Sequence, residues 1–238
     1  KFKYNKPMVV LIPVQTNGGD HCGNTILEDQ ITKYSENIGF VVVAPAGNQA
    51  NEQIHATGTF RDINKSGLIE MFVDKGQRRI RVDLYLENVG RASIRIVSPS
   101  GENTHNFSIR FGTAYNFKFL FEGTILELIY RIDSNPMKLI QHVELLFKDL
   151  KPGIWQIIIS SEGDDKDKKF DAYLPLKELL RPETKFLNSS SSHTVTAPST
   201  AKLAVSIGYN NQDFTSIVAE SGQEYTLDNR TCPLLVAG

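Results

Sequence analysis

Two kinds of apolar pattern divide this chain, and each calls for a different kind of strand. Near both ends the apolar residues run almost without a break: Met8-Val9-Val10-Leu11-Ile12-Pro13-Val14, Phe40-Val41-Val42-Val43-Ala44 and Leu203-Ala204-Val205-Ser206-Ile207. Such runs belong to strands buried on both faces, the usual state of a parallel sheet. Between them the pattern alternates. Ile80, Val82, Leu84 and Leu86 fall on one side of a pleated strand, and Arg79, Arg81, Asp83 and Tyr85 on the other. Alternation of this kind marks an antiparallel strand with one face on a core. The expected fold class is therefore α/β plus all-β.

The N-terminal part reads as a βαβ unit. A strand over 7–14 is followed by a Gly-containing loop over 15–25. A helical pattern then places Ile26, Leu27, Ile31 and Tyr34 at roughly helical spacing. Asn24 or Thr25 can cap the start, and Gly39 can end it. A second strand follows at 40–44. Two strands joined through a helix pair in parallel. The runs at 9–14, 40–44 and 203–207 are expected in one mostly parallel sheet. A helix over 26–38 is expected to cover one face through Ile26, Leu27, Ile31 and Ile38.

From residue 57 to 176 the pattern is all-β. Candidate strands lie at 67–75, 78–87, 92–97, 105–111, 116–121, 125–132, 140–147, 154–160 and 170–174, separated by turn clusters such as Ser98-Pro99-Ser100-Gly101. Strands at this spacing suggest an antiparallel β-sandwich or jelly roll. Trp155, after Pro152-Gly153, reads as a core residue. Residues 177–200 form a connector, and 210–238 read mostly as loop. With α/β sequence on both sides of a β block, the economical organisation is an inserted domain. The expected divisions are 1–56, an α/β segment; 57–176, the inserted β-sandwich; and 177–238, the connector and the return to the α/β segment.

Bulk properties limit the partners. The 238 residues carry a formal net charge of −1, which gives no general attraction to nucleic acid or to an anionic membrane. No apolar stretch is long enough to span a bilayer, and no secretory signal is visible. Cys22 and Cys232 are too few and too far apart in sequence for a disulfide framework, and they fit a reducing compartment better than a secreted one. Asp20, His21 and Cys22 cluster locally. Adjacent residues seldom converge on one metal, so they read as polar residues of a cleft loop. No metal or other cofactor is expected. His55 reads as a packing residue. The charged run Asp164-Asp165-Lys166-Asp167-Lys168-Lys169 reads as an exposed hairpin loop.

The run Val41-Val42-Val43-Ala44-Pro45-Ala46-Gly47-Asn48 carries the most chemistry. A buried strand that ends in Gly-Asn projects one carboxamide from its end, and a carboxamide held there can donate to a developing oxyanion. This run resembles the oxyanion strand of subtilisin-like serine proteases (subtilases). The segment from Lys6 to Glu28 resembles the strand, loop and helix forming one wall of their substrate cleft. The segment from Thr196 to Gln223 resembles their return from an inserted domain. Ile-Val-Ser-Pro-Ser-Gly-Glu at 96–102, Pro-Gly-Ile-Trp-Gln-Ile at 152–157 and Phe-Asp-Ala-Tyr-Leu-Pro-Leu at 170–176 resemble landmarks inside the insert. The ordered set is most similar to clostridial Csp-type germination proteases, which carry an inserted jelly roll.

The resemblance implies an oxyanion role for Asn48. It implies substrate-binding positions at Pro13, Val14, Gln15, Pro45, Ala46 and Gly47. It also implies that this is the central portion of a serine endopeptidase acting on a peptide or protein substrate, cytoplasmic or spore-associated. Subtilases order their triad Asp, His, Ser, and no Gly-Thr-Ser element occurs here: Gly58-Thr59, Gly112-Thr113 and Gly123-Thr124 are not followed by Ser. The portion is therefore expected to hydrolyse nothing alone, and its truncated α/β part to self-associate. Some positions depart from the family. Pro13-Val14-Gln15 stands where Ser-Leu-Gly is usual, so Pro13 lacks a ladder N–H and Gln15 replaces the Gly that leaves room at the specificity pocket. Leu234 stands for the usual Asp, and the second Pro of that C-terminal element is absent. A catalytically dead subtilase with a binding or regulatory role stays open beside the active enzyme, as does a stand-alone jelly-roll binding module.

Overall fold

The computed structural model describes residues 6–60, 66–87, 91–110, 112–133, 140–161, 168–213 and 216–237. The charged run expected as a hairpin loop lies mostly outside them. The first half of the chain holds β1 (Met8–Leu11), α1 (Ile26–Ser35), β2 (Phe40–Pro45), β3 (His55–Thr59), β4 (Ser66–Val73), β5 (Arg79–Glu87), β6 (Ala92–Val97), β7 (Phe107–Ser108) and β8 (Ala114–Lys118). The second half holds β9 (Ile125–Asp133), β10 (Ile140–Lys148), β11 (Gly153–Ser161), β12 (Lys169–Tyr173), β13 (Lys185–Phe186), β14 (Val205–Tyr209) and β15 (Leu235–Ala237). The protein is thus mostly β, in several sheets. It divides into two compact units, Lys1–Glu52 with Ser191–Gly238, and Gln53–Ser190.

The first unit carries a four-stranded sheet in the order β1-β2-β14-β15. Every pairing in it is parallel. The three apolar runs lie side by side, with Leu11 opposite Val43 and Val43 opposite Val205. β15 falls in the tail read as loop. It is tied down where Leu234 N–H donates to Ser206 O (3.1 Å) and Asn210 N–H to Ala237 O (2.9 Å). Three residues are too few to display a strand period.

The helix departs from expectation in length and in face. It stops at Ser35, so Ile38 lies beyond it and is 94% exposed. Ile26 and Leu27 are exposed as well. The buried helical residues are Glu28 and Ile31, an i, i+3 pair. A capping box sets this phase: Glu28 N–H donates to Thr25 Oγ1 (3.3 Å), and Thr25 N–H donates to the Glu28 carboxylate (3.1 Å). Thr200 also donates to Glu28, which leaves the buried carboxylate well supplied with donors. Only Ile31 then meets Val42, Ala201 and Ala204. A polar anchor, rather than the number of apolar residues, decides which face turns inward.

The second unit is a β-sandwich. One antiparallel sheet runs β3-β12-β5-β10-β9-β8, the other β13-β4-β11-β6-β7. Their inward side chains form one core that includes Val82, Leu84, Leu145, Ile94, Ile157 and Trp155. Trp155 is fully buried, donates Nε1–H to Lys151 O (2.9 Å) and meets Phe119 and Phe147 edge-on. Phe170 fills the space left by two glycines: a Cβ on Gly58 would lie 2.3 Å from its ring, and one on Gly67 2.2 Å. The unit begins at Gln53 because β3 pairs with β12, and it reaches Ser190 because β13 pairs with β4. Within it β7 has only two residues, and the apolar pattern after Lys118 is a turn closed by Gly123 N–H to Phe119 O (2.9 Å).

Candidate functional site

The site begins where β2 leaves its sheet. Ala46 N–H donates to Ile207 O (2.8 Å), extending the pairing with β14 by one residue. The Ala46 carbonyl accepts from Thr196 N–H (2.9 Å) and Thr196 Oγ1 (3.3 Å). Gly47 follows with φ +112°, and a Cβ there would sit 2.9 Å from Thr196 Oγ1. Only glycine takes that conformation at little cost. The Gly47 carbonyl accepts from Gly222 N–H (3.0 Å), and Gly222 lies so close that a Cβ on it would be 2.2 Å from Ala46 O. Beyond Asn48 the loop is closed by Ala50 N–H to Glu220 O (3.0 Å) and Glu52 N–H to Gln49 O (3.1 Å). The backbone on both sides of Asn48 is held, and its side chain is presented to solvent.

β1 approaches the same place. Its last ladder bond runs from Ile12 N–H to Val43 O (2.9 Å), after which the chain parts from β2. It is caught again at Thr16, which exchanges two backbone hydrogen bonds with Ala197 (2.9 and 3.0 Å). Gln15 lies between these anchors. Its Oε1 accepts from Asn48 N–H (3.2 Å), and its Nε2 donates to Asn48 Oδ1 (2.5 Å). The two residues thus bridge the gap at the carboxyl ends of adjacent parallel strands, where open α/β sheets place their ligands. Among the described residues the Asn48 Nδ2 has no hydrogen-bond partner.

The structure brings Gln15, Gly47 and Asn48 together. Pro45 stays in the sheet opposite Ile207, and Ala46 is buried in a small cluster with Val195 and Cys232. Pro13 and Val14 are exposed on the edge of the gap and touch Asn48 through no hydrogen bond. Two residues that build the loop, Thr196 and Gly222, carried no signal of their own in the sequence. They lie on either side of the apolar run at 203–207, in stretches whose only mark was a family likeness.

Asp20, His21 and Cys22 do not converge. The Asp20 carboxylate accepts from Cys22 N–H (2.9 Å), Asn24 N–H (3.3 Å) and Asn24 Nδ2 (2.5 Å). The His21 ring faces Val195 O (3.1 Å) and Asn17 O (3.2 Å). Neither cysteine is in a disulfide, and both are buried. Burial pushes the Cys232 thiol up, against hydrogen bonds from Ser206 and Ser199 and the nearby Arg230 charge, so it is a poor thiolate.

The sandwich holds a second polar cluster, on the side of β5 that the alternation marked as polar. Asp83, His142 and Glu144 are buried, with ligand-type atoms within 4.8 Å of one another. Arg81 Nη2 lies 2.7 Å from Asp83 and 3.2 Å from Glu144, and Arg131 Nε lies 3.2 Å from Glu144. His142 Nε2 is 2.8 Å from Asp83 Oδ1, and its ring stacks on Tyr85 at 4.6 Å. Burial pushes the Asp83 carboxyl up, but hydrogen bonds from His142 and Arg81 and their charges outweigh it and hold it below the ordinary range. The guanidinium of Arg81 lies against both carboxylates, and the cluster reads as an ion-pair network of buried carboxylates and half-exposed arginines.

The structure of the Clostridium perfringens CspB protease superposes on this chain with a TM-score of 0.84 and 24% sequence identity. The match covers 99% of this chain and 48% of that one. The chain shares that fold. It spans about half the length of the solved structure it matches. No family model and no curated protein matches the sequence. The likeness covers both the unit that carries Asn48 and the β-sandwich.

Proposed function

We propose that this chain is the central portion of a subtilisin-like serine endopeptidase, interrupted by a jelly-roll insert, and that Asn48 is its oxyanion donor. The observation that carries the reading is the presentation of Asn48. A carboxamide with an uncommitted Nδ2 stands at the carboxyl ends of a parallel sheet, on backbone held at Ala46, Gly47 and Ala50. The Csp-type protease fold supports it. In a protein carrying the rest of that fold, the Asp, His and Ser of a triad come from the half this chain does not span. As the nucleophile attacks a peptide carbonyl, the oxygen gains charge, and a fixed N–H donor stabilises that charge without reorganising. A peptide or protein substrate, a role in spore germination and a cytoplasmic or spore-associated location belong to the same proposal.

The test is peptide hydrolysis by the full-length parent. Asn48→Ala should lower kcat about a hundred- to thousandfold with little change in KM. A serine-directed inhibitor should abolish the wild-type activity. An unchanged kcat in Asn48→Ala overturns the oxyanion role. A pseudoprotease is the second reading, favoured by Pro13, which offers no N–H to a substrate strand on the exposed edge of the gap. It predicts peptide binding by the parent without cleavage.

A further inference from the structure

We infer that Gln15 is a positioning residue that fixes which end of the Asn48 carboxamide faces outward; the inference rests on the oxyanion role proposed above. A carboxamide has two ends of nearly equal size, and only the nitrogen end can stabilise an oxyanion. On an exposed side chain nothing intrinsic selects between them.

Here the choice is made by a relay that starts from an atom of fixed role. The backbone N–H of Asn48 can only donate, and it points at Gln15 Oε1 (3.2 Å). That assigns the Gln15 oxygen, and so the Gln15 nitrogen is the end turned to the Asn48 side chain. Nε2 can only donate in turn, and the atom 2.5 Å from it is therefore Asn48 Oδ1. The Asn48 Nδ2 is left on the far side, facing outward. Gly47 makes the relay sterically feasible, because a Cβ at 47 would lie 3.1 Å from Gln15 Oε1. Gln15 is itself steadied by the backbone bonds at Ile12 and Thr16 on either side.

The relay gives substitutions at Gln15 a distinctive order. Gln15→Met keeps the bulk and removes both hydrogen bonds, so the Asn48 amide samples both orientations. Gln15→Glu is worse. Its carboxylate still accepts from Asn48 N–H, but it repels Oδ1 and draws Nδ2 inward, leaving an acceptor facing the substrate.

The experiment measures kcat and KM in the full-length parent, and the Asn48 side-chain 13Cγ and 15Nδ2 resonances in the 238-residue chain. Gln15→Met should lower kcat about five- to tenfold with KM unchanged. Gln15→Glu should lower it about a hundredfold, approaching Asn48→Ala. In an Asn48→Ala background neither Gln15 substitution should cost anything further. In the NMR experiment, Gln15→Met should shift the Asn48 13Cγ resonance upfield through loss of the hydrogen bond to Oδ1. That readout stands even if the parent is inactive. If Asn48→Ala leaves kcat intact, the oxyanion reading itself has failed. If Asn48→Ala is costly while Gln15→Met changes neither kcat nor the 13Cγ shift, the inference about Gln15 has failed. A Gln15 effect confined to KM, or one that persists undiminished without Asn48, overturns it as well.

Discussion

Gly222 shows how a single residue with no chemistry of its own can govern the candidate site. A Cβ on it would lie 2.2 Å from Ala46 O, a backbone atom that cannot swing aside. We expect Gly222→Ala to destabilise the protein by about 1–3 kcal/mol and to speed amide exchange in the loop around Asn48. A variant that melts and exchanges like the wild type would contradict this. Asp83 governs a different property. Its folded-state pKa is depressed, so its contribution to stability is complete above the ordinary carboxylate range and is lost as pH falls through that depressed value. Asp83→Asn should cost on the order of 2–3 kcal/mol at neutral pH, because it leaves buried His142 and half-exposed Arg81 short of a partner. It should also flatten the acid limb of the stability profile. Denaturant melts across the acid range check both effects, and an acid limb as steep as the wild type's would exclude Asp83 as its source.

At the scale of elements, α1 depends on its first turn more than on its apolar residues. Thr25→Ala removes the capping box and should cost about 1 kcal/mol. Ile26→Lys should change stability by less than about 0.5 kcal/mol, since Ile26 is 85% exposed. Chemical denaturation of the two variants checks this, and the reverse ranking would show that the helix docks through its apolar residues after all. The helix also marks the limit of what could be read from the residues. The parallel sheet was legible as continuous apolar runs, but the two-sided burial expected of such runs is not found: in Val41-Val42-Val43 only Val42 is buried, and Val41 is 38% exposed. The sandwich was legible because the strand face on its core is apolar and the other is mixed, as from Ile80 to Leu86, although Asp83 and Tyr85 on that other face are buried as well. The face of α1 was not legible, because Thr200, the partner that anchors Glu28, lies 172 positions away. The same holds at the site. Asn48 was singled out by the family likeness of the run from Val41 to Asn48, and the residues themselves indicated only that a side chain follows the end of a strand. The grip of Gln15 on it spans 33 positions and leaves no local pattern.

For the whole molecule, the two units differ in how completely each buries its own apolar surface. The sandwich has a large core drawn from residues between Ile54 and Phe186, all inside Gln53–Ser190. Residues 53–190 alone should therefore melt cooperatively. The other unit leaves large apolar side chains in water. Val9 is 69% exposed, Leu11 64% and Ile26 85%, and Leu235 and Val236 on the last strand are also exposed. Apolar surface on a sheet edge and on the helix beside it favours association, and a short exposed strand at either end of the sheet offers unpaired backbone groups as well. We expect the 238-residue chain to self-associate through this unit at high concentration, while residues 53–190 stay monomeric. Light scattering on both species decides it: each species holding its own monomer mass up to the highest concentration reached would show that the exposed apolar surface is too dispersed to drive association.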